Sequence, residues 1–250
     1  MQTKTYSNPP IIEAICAFQF IPSQPWDATV LGLVYDRLKG QVPVKTAAPS
    51  PLLNVTIGAA PPSNTGRMQF RRADNSALVQ LGPDSLTVNH LTPYCGWPNF
   101  QTMIETVLEA YKFVAAPQGL SAVSLRYINR LNIPIEAEKN GTDIRQYVLT
   151  HPVVPNSVPQ VFLEWAQRVV IPFEEVRQSL IVQAGTTGGD EEFPIVFMLD
   201  LEARHDEETN VSLAESISWL EAAHTNVVAV FEACIGPKAR LLFGEEGEAA

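Results

Sequence analysis

Three short apolar runs joined by two hairpin-length turns constrain the fold of this chain most strongly. The runs are MQFRR at 68–72, ALVQL at 77–81 and SLTVNHL at 85–91. The connecting segments, 73–76 and 82–84, are rich in residues that favour tight turns. Parallel strands need a much longer crossover, so these runs predict consecutive antiparallel strands. A further run, LLNVTIG at 52–58, is predicted to join the same meander.

Strand and helix patterns flank this meander. Residues 9–21 alternate in polarity and predict a strand whose more buried face carries Ile12, Ala14, Cys16, Phe18 and Phe20. A helix is predicted to begin near Asp27, placed as N-cap or first-turn acid, and to stop at Gly40. A longer helix is predicted to begin at Trp97, with Phe100, Ile104, Val107, Leu108 and Tyr111 on one stripe.

From residue 120 the order of elements repeats. We expect a strand at 120–134, a short helix near 142–149, strands near 161–171, 176–184 and 194–203, and a long helix over 213–234. This order predicts an α+β fold, with antiparallel sheet or sheets backed by helices. It comprises two pseudo-repeated β-α-β(n)-α halves, 1–118 and 119–250, in one compact unit. The order of elements resembles that of TATA-binding-protein-like folds, and a fold resemblance implies no function.

Composition favours an ordinary globular protein without metal or disulfide support. The chain has 250 residues, 46% of them hydrophobic, which is enough to bury a large core. Its three cysteines are far apart and lack the spacing of a disulfide framework or a zinc site. No cofactor is expected. The N-terminus lacks an apolar signal segment, and no run approaches the roughly 18 apolar residues of a membrane span, so we predict a cytoplasmic protein without a membrane partner.

The net charge of −10 is unevenly distributed. Residues 187–250 contain fourteen acidic and three basic residues, whereas the first 186 residues contain thirteen and fourteen. A protein that binds duplex nucleic acid needs a basic surface, and this sequence offers none, so nucleic acid is not expected as a partner. The acidic C-terminal quarter is interpreted as solvated surface or as a docking face for a basic protein.

The sequence contains no recognisable catalytic motif, and no catalytic residue is assigned. It lacks the GxSxG and SxxK nucleophile motifs, and the glycine-rich segment 185–190 lacks the lysine of a phosphate loop. The four histidines have no metal-ligand spacing, so no metal site is predicted. His224 lies on the apolar stripe of the last helix and is expected to be a hydrogen-bonded structural residue. An alternative is an unrecognised enzyme that uses His224 or Glu13 as its acid–base group.

The predicted strand 120–134 carries several polar residues. Alternation places Tyr127 and Asn129 on one face and Arg126 and Arg130 on the other, the two arginines roughly 13 Å apart. They are interpreted either as register-fixing partners of Glu13 or Glu136, which we favour, or as an anion-binding face. On the second interpretation Glu13, Arg126, Tyr127 and Arg130 are the candidate ligand-binding residues. Asn129 is expected to bond to the backbone at a bulge or at the junction of the halves.

Several segments together resemble a sporadically distributed, functionally uncharacterised family of bacterial proteins of about this length. They are NPPIIEAICAFQF, PWD at 25–27 followed by GLVYDRLKG, VNHLTPYCGWPNF, LRYINRLNIP and WLEAAHTNVVAVFEACI. The resemblance implies a single full-length unit, the patchy occurrence of accessory genes, and no catalytic residues to transfer. At 236–237 the chain departs from the Thr-containing helix end that the family leads us to expect.

Two functional hypotheses follow. The first is a non-catalytic binding or regulatory protein, an accessory factor of a defence or toxin-neutralising locus that acts through protein–protein contact. The second is the binding of a small anionic ligand or nucleotide in a cleft between the two halves.

Overall fold

The computed structural model describes residues 6–47, 67–134, 143–158, 164–173, 177–189, 193, 195–205 and 211–244. Within these ranges the chain forms a nine-stranded antiparallel sheet and four α-helices, which confirms the predicted α+β class. The strands are β1 Ile11–Ile21, β2 Val44–Ala47, β3 Met68–Arg71, β4 Ala77–Gly82, β5 Ser85–Leu91, β6 Gly119–Ile133, β7 Ala166–Phe173, β8 Gln178–Gly188 and β9 Ile195–His205. The helices are α1 Thr29–Leu38, α2 Trp97–Ala115, α3 Ser216–Cys234 and α4 Pro237–Leu242, and a 3₁₀ turn covers Ile144–Gln146.

The predicted meander is present as β3, β4 and β5. Its register pairs Met68 with Leu81 in the first hairpin and Ala77 with His90 in the second. Asn75 and Asp84 take up positive φ angles of 59° and 54° in the two turns, a conformation that Asn and Asp tolerate better than most residues. Local turn chemistry therefore determines this part of the sheet.

The sheet order is β2-β3-β4-β5-β1-β6-β9-β8-β7. β2, which pairs with β3, was not predicted, because all four of its residues are exposed and show no alternation of burial. The predicted strand at 52–58 lies outside the described residues. The helix α4 was not predicted either; Pro237 occupies its first turn, where proline is favoured.

The chain divides into two compact units. Unit 1 comprises Met1–Glu13, Leu125–Arg204 and Trp219–Ala250, and unit 2 comprises Ala14–Ser124 and His205–Ser218. Compared with the predicted halves 1–118 and 119–250, the first residues of the chain group with the C-terminal half, and 205–218 group with the N-terminal half. Each unit therefore contains segments that are distant in sequence.

In unit 2 the predicted apolar face of β1 is buried from Ala14 onward and packs against a ring of α2, whereas Ile12, which was predicted on the same face, is only half-buried. Phe18 and Phe20 are each 2% exposed, and Phe20 stacks on Tyr111 with ring centroids 4.2 Å apart. Phe100, on the predicted stripe of α2, is fully buried. Its ring contacts the rings of Tyr94 and Trp97 edge-on, so it lies at the centre of an aromatic cluster.

In unit 1 one face of β6 is buried, as alternation predicts. Its buried residues there are Leu125, Tyr127, Asn129, Leu131 and Ile133. The junction between α3 and α4 is also tightly packed, because a Cβ atom on Gly236 would lie 2.3 Å from the carbonyl oxygen of Gln146. The Gly236 N–H donates to the carbonyl of Tyr147. This close approach gives a packing reason for glycine at this position.

Replacing Phe100 with alanine should destabilise the protein by about 3–5 kcal/mol, since it removes a fully buried ring and leaves a cavity. The matched control is Phe113→Ala on the same helix, where the ring is 71% exposed and contacts Arg37. We expect the control to cost less than about 1 kcal/mol. Urea unfolding measures both; equal losses would contradict the packing described for α2.

Candidate functional site

Arg126 of β6 forms a bidentate ion pair with Asp200 of β9. Its Nε donates to Oδ1 at 2.7 Å and its Nη2 to Oδ2 at 2.5 Å. The two side chains are only 17% and 15% exposed, so water screens the pair weakly. This geometry matches the planar fork of a guanidinium to a carboxylate. An acid in β9 therefore engages Arg126 directly. The sequence suggests Glu13 or Glu136; the charge of Glu13 also acts on Arg126, and Glu136 lies outside the described residues.

Further polar groups surround this pair. Gln183 of β8 donates from Nε2 to Asp200 Oδ2 at 3.2 Å, and Glu202 pairs with Arg204 at 2.9 Å. Burial acts to lower the pKa of Arg126. The hydrogen bonds and charge of Asp200, with the charges of Glu202 and Glu13, outweigh burial and raise that pKa. The guanidinium is thus surrounded by carboxylates, which compete with any external anion.

Arg130 has different surroundings although it lies on the same strand face. Its side chain is exposed, and its Nε donates to Oδ1 of Asn132 at 3.1 Å, which is also exposed. The contact joins two residues of one strand and leaves the guanidinium accessible to solvent. Of the two arginines, Arg130 is therefore the one that an anion could reach.

Tyr127 and His224 form a polar contact on the opposite, helix-covered face of β6. The Tyr127 hydroxyl and His224 Nδ1 are hydrogen-bonded at 3.2 Å. Burial lowers the pKa of His224 to about 4, so the ring is neutral at pH 7 and Nδ1 can accept a hydrogen bond from the hydroxyl. Tyr127 and His224 thus connect β6 to α3. Of the four candidate ligand-binding residues, Glu13, Arg126 and Arg130 lie on one side of the strands, and Tyr127 lies on the other.

Two buried amides also link elements of unit 1. Asn129, 1% exposed, donates from Nδ2 to the carbonyl of Leu199 in β9 at 3.1 Å. Gln178, 3% exposed, donates to the carbonyl of Trp219 and accepts from Nδ2 of Asn226. Buried amides need such partners, because an unmade hydrogen bond costs about 1–3 kcal/mol. Both residues therefore bridge separate elements.

Sequence reasoning missed Asp200, Gln183 and Gln178. Asp200 was detectable in principle, since residues 195–205 alternate and place it with Glu202 and Arg204 on the less apolar face. What the sequence could not supply was the neighbour of β6. Choosing β9 as that neighbour requires the sheet order, which connects residues 74 positions apart.

The cysteines are not activated nucleophiles. Burial raises the pKa of Cys16, Cys95 and Cys234, the last to about 11. A thiol needs a lowered pKa to react as thiolate near neutral pH. Across the described ranges, no three His, Cys, Asp or Glu side chains are grouped so that they could hold a metal ion. In the same ranges no helix is long and apolar enough to span a membrane.

The acidic C-terminal quarter is engaged within the protein wherever the structure describes it. Asp200 and Glu202 pair with arginines, and Glu232 pairs with Arg240 and accepts from the Tyr6 hydroxyl. Glu215 accepts a hydrogen bond from the hydroxyl of Ser212. Glu221 is also engaged in an interaction within the chain. The other nine of the fourteen acids lie outside the described residues.

No protein-family model matches the chain, and no curated protein matches it. The interpretation of its polar residues therefore depends on their geometry. Arg126, which is paired with Asp200 and surrounded by carboxylates, lies on one side of the strands. The contact between Tyr127 and His224 lies on the other side.

Arg126→Ala should destabilise the protein by about 1–3 kcal/mol, because it leaves the largely buried Asp200 carboxylate without its main partner. Arg130→Ala is the matched control and should change stability by less than about 0.5 kcal/mol, since that side chain is exposed. Denaturant unfolding at pH 7 compares them. A control as damaging as Arg126→Ala would show that the ion pair is not the source of the loss.

Neutral His224 should make stability depend on pH. The pKa of histidine is about 6.5 in an unfolded chain, whereas burial holds that of His224 near 4, so the unfolded state binds more protons between these values. The stability of the folded state that depends on a neutral His224 is therefore complete above about pH 6.5, and it is lost as the pH falls toward 4. Between pH 7 and 4.5 wild type should lose roughly 2 kcal/mol more than His224→Gln. Parallel stability curves for the two proteins would contradict this account.

Proposed function

We propose that this chain is a non-catalytic binding protein that acts through contact with a protein partner. The observation that carries the proposal is the edge strand β7, which ends the sheet order beside β8. It is eight residues long, and its adjacent residues Val169 and Val170 are 46% and 47% exposed. Adjacent residues of a strand point to opposite faces, so β7 is accessible on both. A long apolar edge strand favours the addition of a strand from another chain.

The hydrogen-bond pattern of β7 supports this proposal. The Thr186 N–H donates to the carbonyl of Trp165, and the register pairs Ala166 with Gly185. In an antiparallel ladder, alternate residues bond to the neighbouring strand, so 167, 169, 171 and 173 direct their backbone groups to β8. Residues 166, 168, 170 and 172 then direct theirs outward.

Pro172 agrees with this alternation. Proline has no N–H to donate and occurs in sheets where no ladder bond is lost, which is the outward side of an edge strand. The outward donors of β7 are therefore the N–H groups of Ala166, Arg168 and Val170. A partner strand could pair with these three groups and cover the exposed valines.

A basic partner would complement the net charge of −10. The five described acids of the C-terminal quarter already have interactions within the chain. Any charge attraction would accordingly act over the molecule as a whole and raise the association rate, while β7 supplies the specific contact.

A pseudo-repeat of the TATA-binding-protein kind also belongs to this proposal. The sheet order supports it, because β1 and β6 are neighbours and each begins one series of strands. Beyond β1 come β5, β4, β3 and β2, and beyond β6 come β9, β8 and β7. The 19-residue helices α2 and α3 each come after the last strand of one series. We further propose membership of the sporadic bacterial family, a cytoplasmic location, and a role in a defence or toxin-neutralising locus.

A second candidate function is the binding of a small anion or nucleotide. The observation that favours it is the exposed Arg130, whose guanidinium is accessible to solvent. Arg126 contributes little to this candidate, because Asp200 already occupies its guanidinium. A thermal shift with nucleotides that is lost in Arg130→Ala would support anion binding over strand addition.

Val170→Pro should abolish partner binding while preserving the fold, since it removes an outward N–H and no bond to β8. Quantitative affinity capture from cells that naturally produce the chain would compare wild type, Val170→Pro and Val170→Thr, which retains the N–H. Wild type and Val170→Thr should capture the same partner and Val170→Pro should lose it.

Thermal unfolding supplies the control for this experiment. Val169→Pro, one residue away, removes an inward N–H and should lower the Tm by several degrees, whereas Val170→Pro should lower it little. Equal capture by a folded Val170→Pro would exclude β7 as the binding edge.

A further inference from the structure

A cavity of ≈ 270 Å³ opens in unit 2 beside the C-terminal end of α2, and none of the candidate site residues named above lines it. Its lining comes from the segment after β1, the start of α1, the β4–β5 turn and the end of α2. Prolines at 22, 25 and 117 stiffen the two loops that contribute. The cavity is smaller than the pockets that hold drug-sized ligands, which begin at about 300 Å³. It matches a single small group.

Among the described residues, the charged ones that line the cavity are both acidic. They are Asp27 and Asp84, and no described Lys, Arg or His lines it. Lys112 pairs with Glu109, and Arg37 stacks on Phe113. The Arg67 side chain packs against Gly82, two residues before Asp84, but does not line the cavity. The cavity therefore presents negative charge without an internal counter-ion in its wall.

Two helix ends border the cavity, and the partial charges that they carry are opposite in sign. The C-terminal residue of α2, Ala115, lines it, and a helix C-terminus carries partial negative charge. Thr29 at the N-terminus of α1 lines it too, but its N–H already donates to Oδ1 of Asp27 at 2.8 Å. A carboxylate of the chain thus occupies the one end that would attract an anion.

Tyr111 provides an independent indication of a ligand. The residue is 2% exposed, and its hydroxyl makes no hydrogen bond to any residue that the structure describes. Its ring is fixed by stacking on Phe20, so it cannot turn away without losing that contact. Burial, together with the charge of Asp84, raises the pKa of Tyr111 to about 12, so the hydroxyl keeps its proton. The hydroxyl is not one of the buried polar atoms that lack both a partner and solvent, so it faces the cavity and can bond to a ligand there.

The apolar and aromatic part of the wall completes the recognition chemistry. Trp26, Leu33 and Val114 line the cavity and suit a short hydrocarbon stem. Aromatic faces attract cations by about 0.5–2 kcal/mol, and most strongly when the face is that of tryptophan. Carboxylates, a helix C-terminus and an indole all favour positive charge.

We propose that this cavity binds an alkylammonium or alkylguanidinium group, carried either by a free amine or by a lysine or arginine side chain of another protein. The cationic end lies between Asp27 and Asp84, and the alkyl stem contacts Trp26 and Leu33. This site is separate from β7, so its presence or absence does not decide the proposed function.

The test uses butylguanidinium and butylamine as probes, with butyrate as the anionic control of equal chain length. NMR follows the indole N–H signal of Trp26, assigned with Trp26→Phe, and calorimetry counts the sites. We expect both cations to saturate one site per chain and butyrate to leave the signal unchanged. Absence of saturable binding by either cation, or tighter binding of butyrate, would overturn the proposal.

Asp84→Asn is the decisive variant, because asparagine keeps the side-chain size and tolerates the φ of 54° at this position. It should weaken cation binding at least tenfold, and Tyr111→Phe should weaken it while keeping the stacked ring. Asp36→Asn is the matched control: it removes the same charge from an exposed position outside the cavity and should bind like wild type. Equal affinity of Asp84→Asn and Asp36→Asn would overturn the proposal.

A tripeptide with blocked ends and a central arginine distinguishes the two sources of the cation. Tighter binding of the tripeptide than of butylguanidinium would support recognition of a partner's side chain. Saturable binding of the small cations with exclusion of the tripeptide would support a free amine.

Discussion

The ion pair between Arg126 and Asp200 is the interaction on which the arrangement of strands in unit 1 depends. It joins β6 to β9 by two parallel hydrogen bonds, and Gln183 adds a third bond to the same carboxylate from β8. A slip of one residue in β6 or β9 would move Arg126 or Asp200 to the opposite face and bury an unpaired charge. The pair therefore serves more to disfavour misaligned strand pairings than to raise the free energy of unfolding. The reason is that the cost of removing two charges from water offsets much of their attraction.

This constraint decides where the chain can bind something else. The guanidinium of Arg126 is saturated by acids of its own sheet, and Tyr127 is held by His224 beneath α3. The polar residues that stand out in the sequence of β6 are therefore largely committed within unit 1. Apart from the exposed Arg130, the features open to an external partner lie elsewhere, at the β7 edge in unit 1 and at the acidic cavity in unit 2.

The parts of the fold that could be predicted from sequence are those set by local chemistry. Turn residues at 73–76 and 82–84 specify the hairpins, and the 3.6-residue period of apolar positions specifies α2. Alternation also places Arg126 and Tyr127 on opposite faces of β6. The strand β2 escaped prediction because an exposed edge strand needs no buried face. The identity of Asp200 as partner, and the cavity built from four separate segments, depend on contacts between residues far apart in the chain.

A double-mutant cycle on Arg126 and Asp200 measures how strongly the two side chains stabilise each other. Arg126→Leu, Asp200→Leu and the double variant would be unfolded with urea, and the coupling free energy would be taken from the four stabilities. We expect each single variant to be clearly destabilised and the double variant to recover much of the loss, with a coupling of about 1–3 kcal/mol. A coupling near zero would mean that the pair does not hold β6 and β9 in register, and would contradict the account given for unit 1.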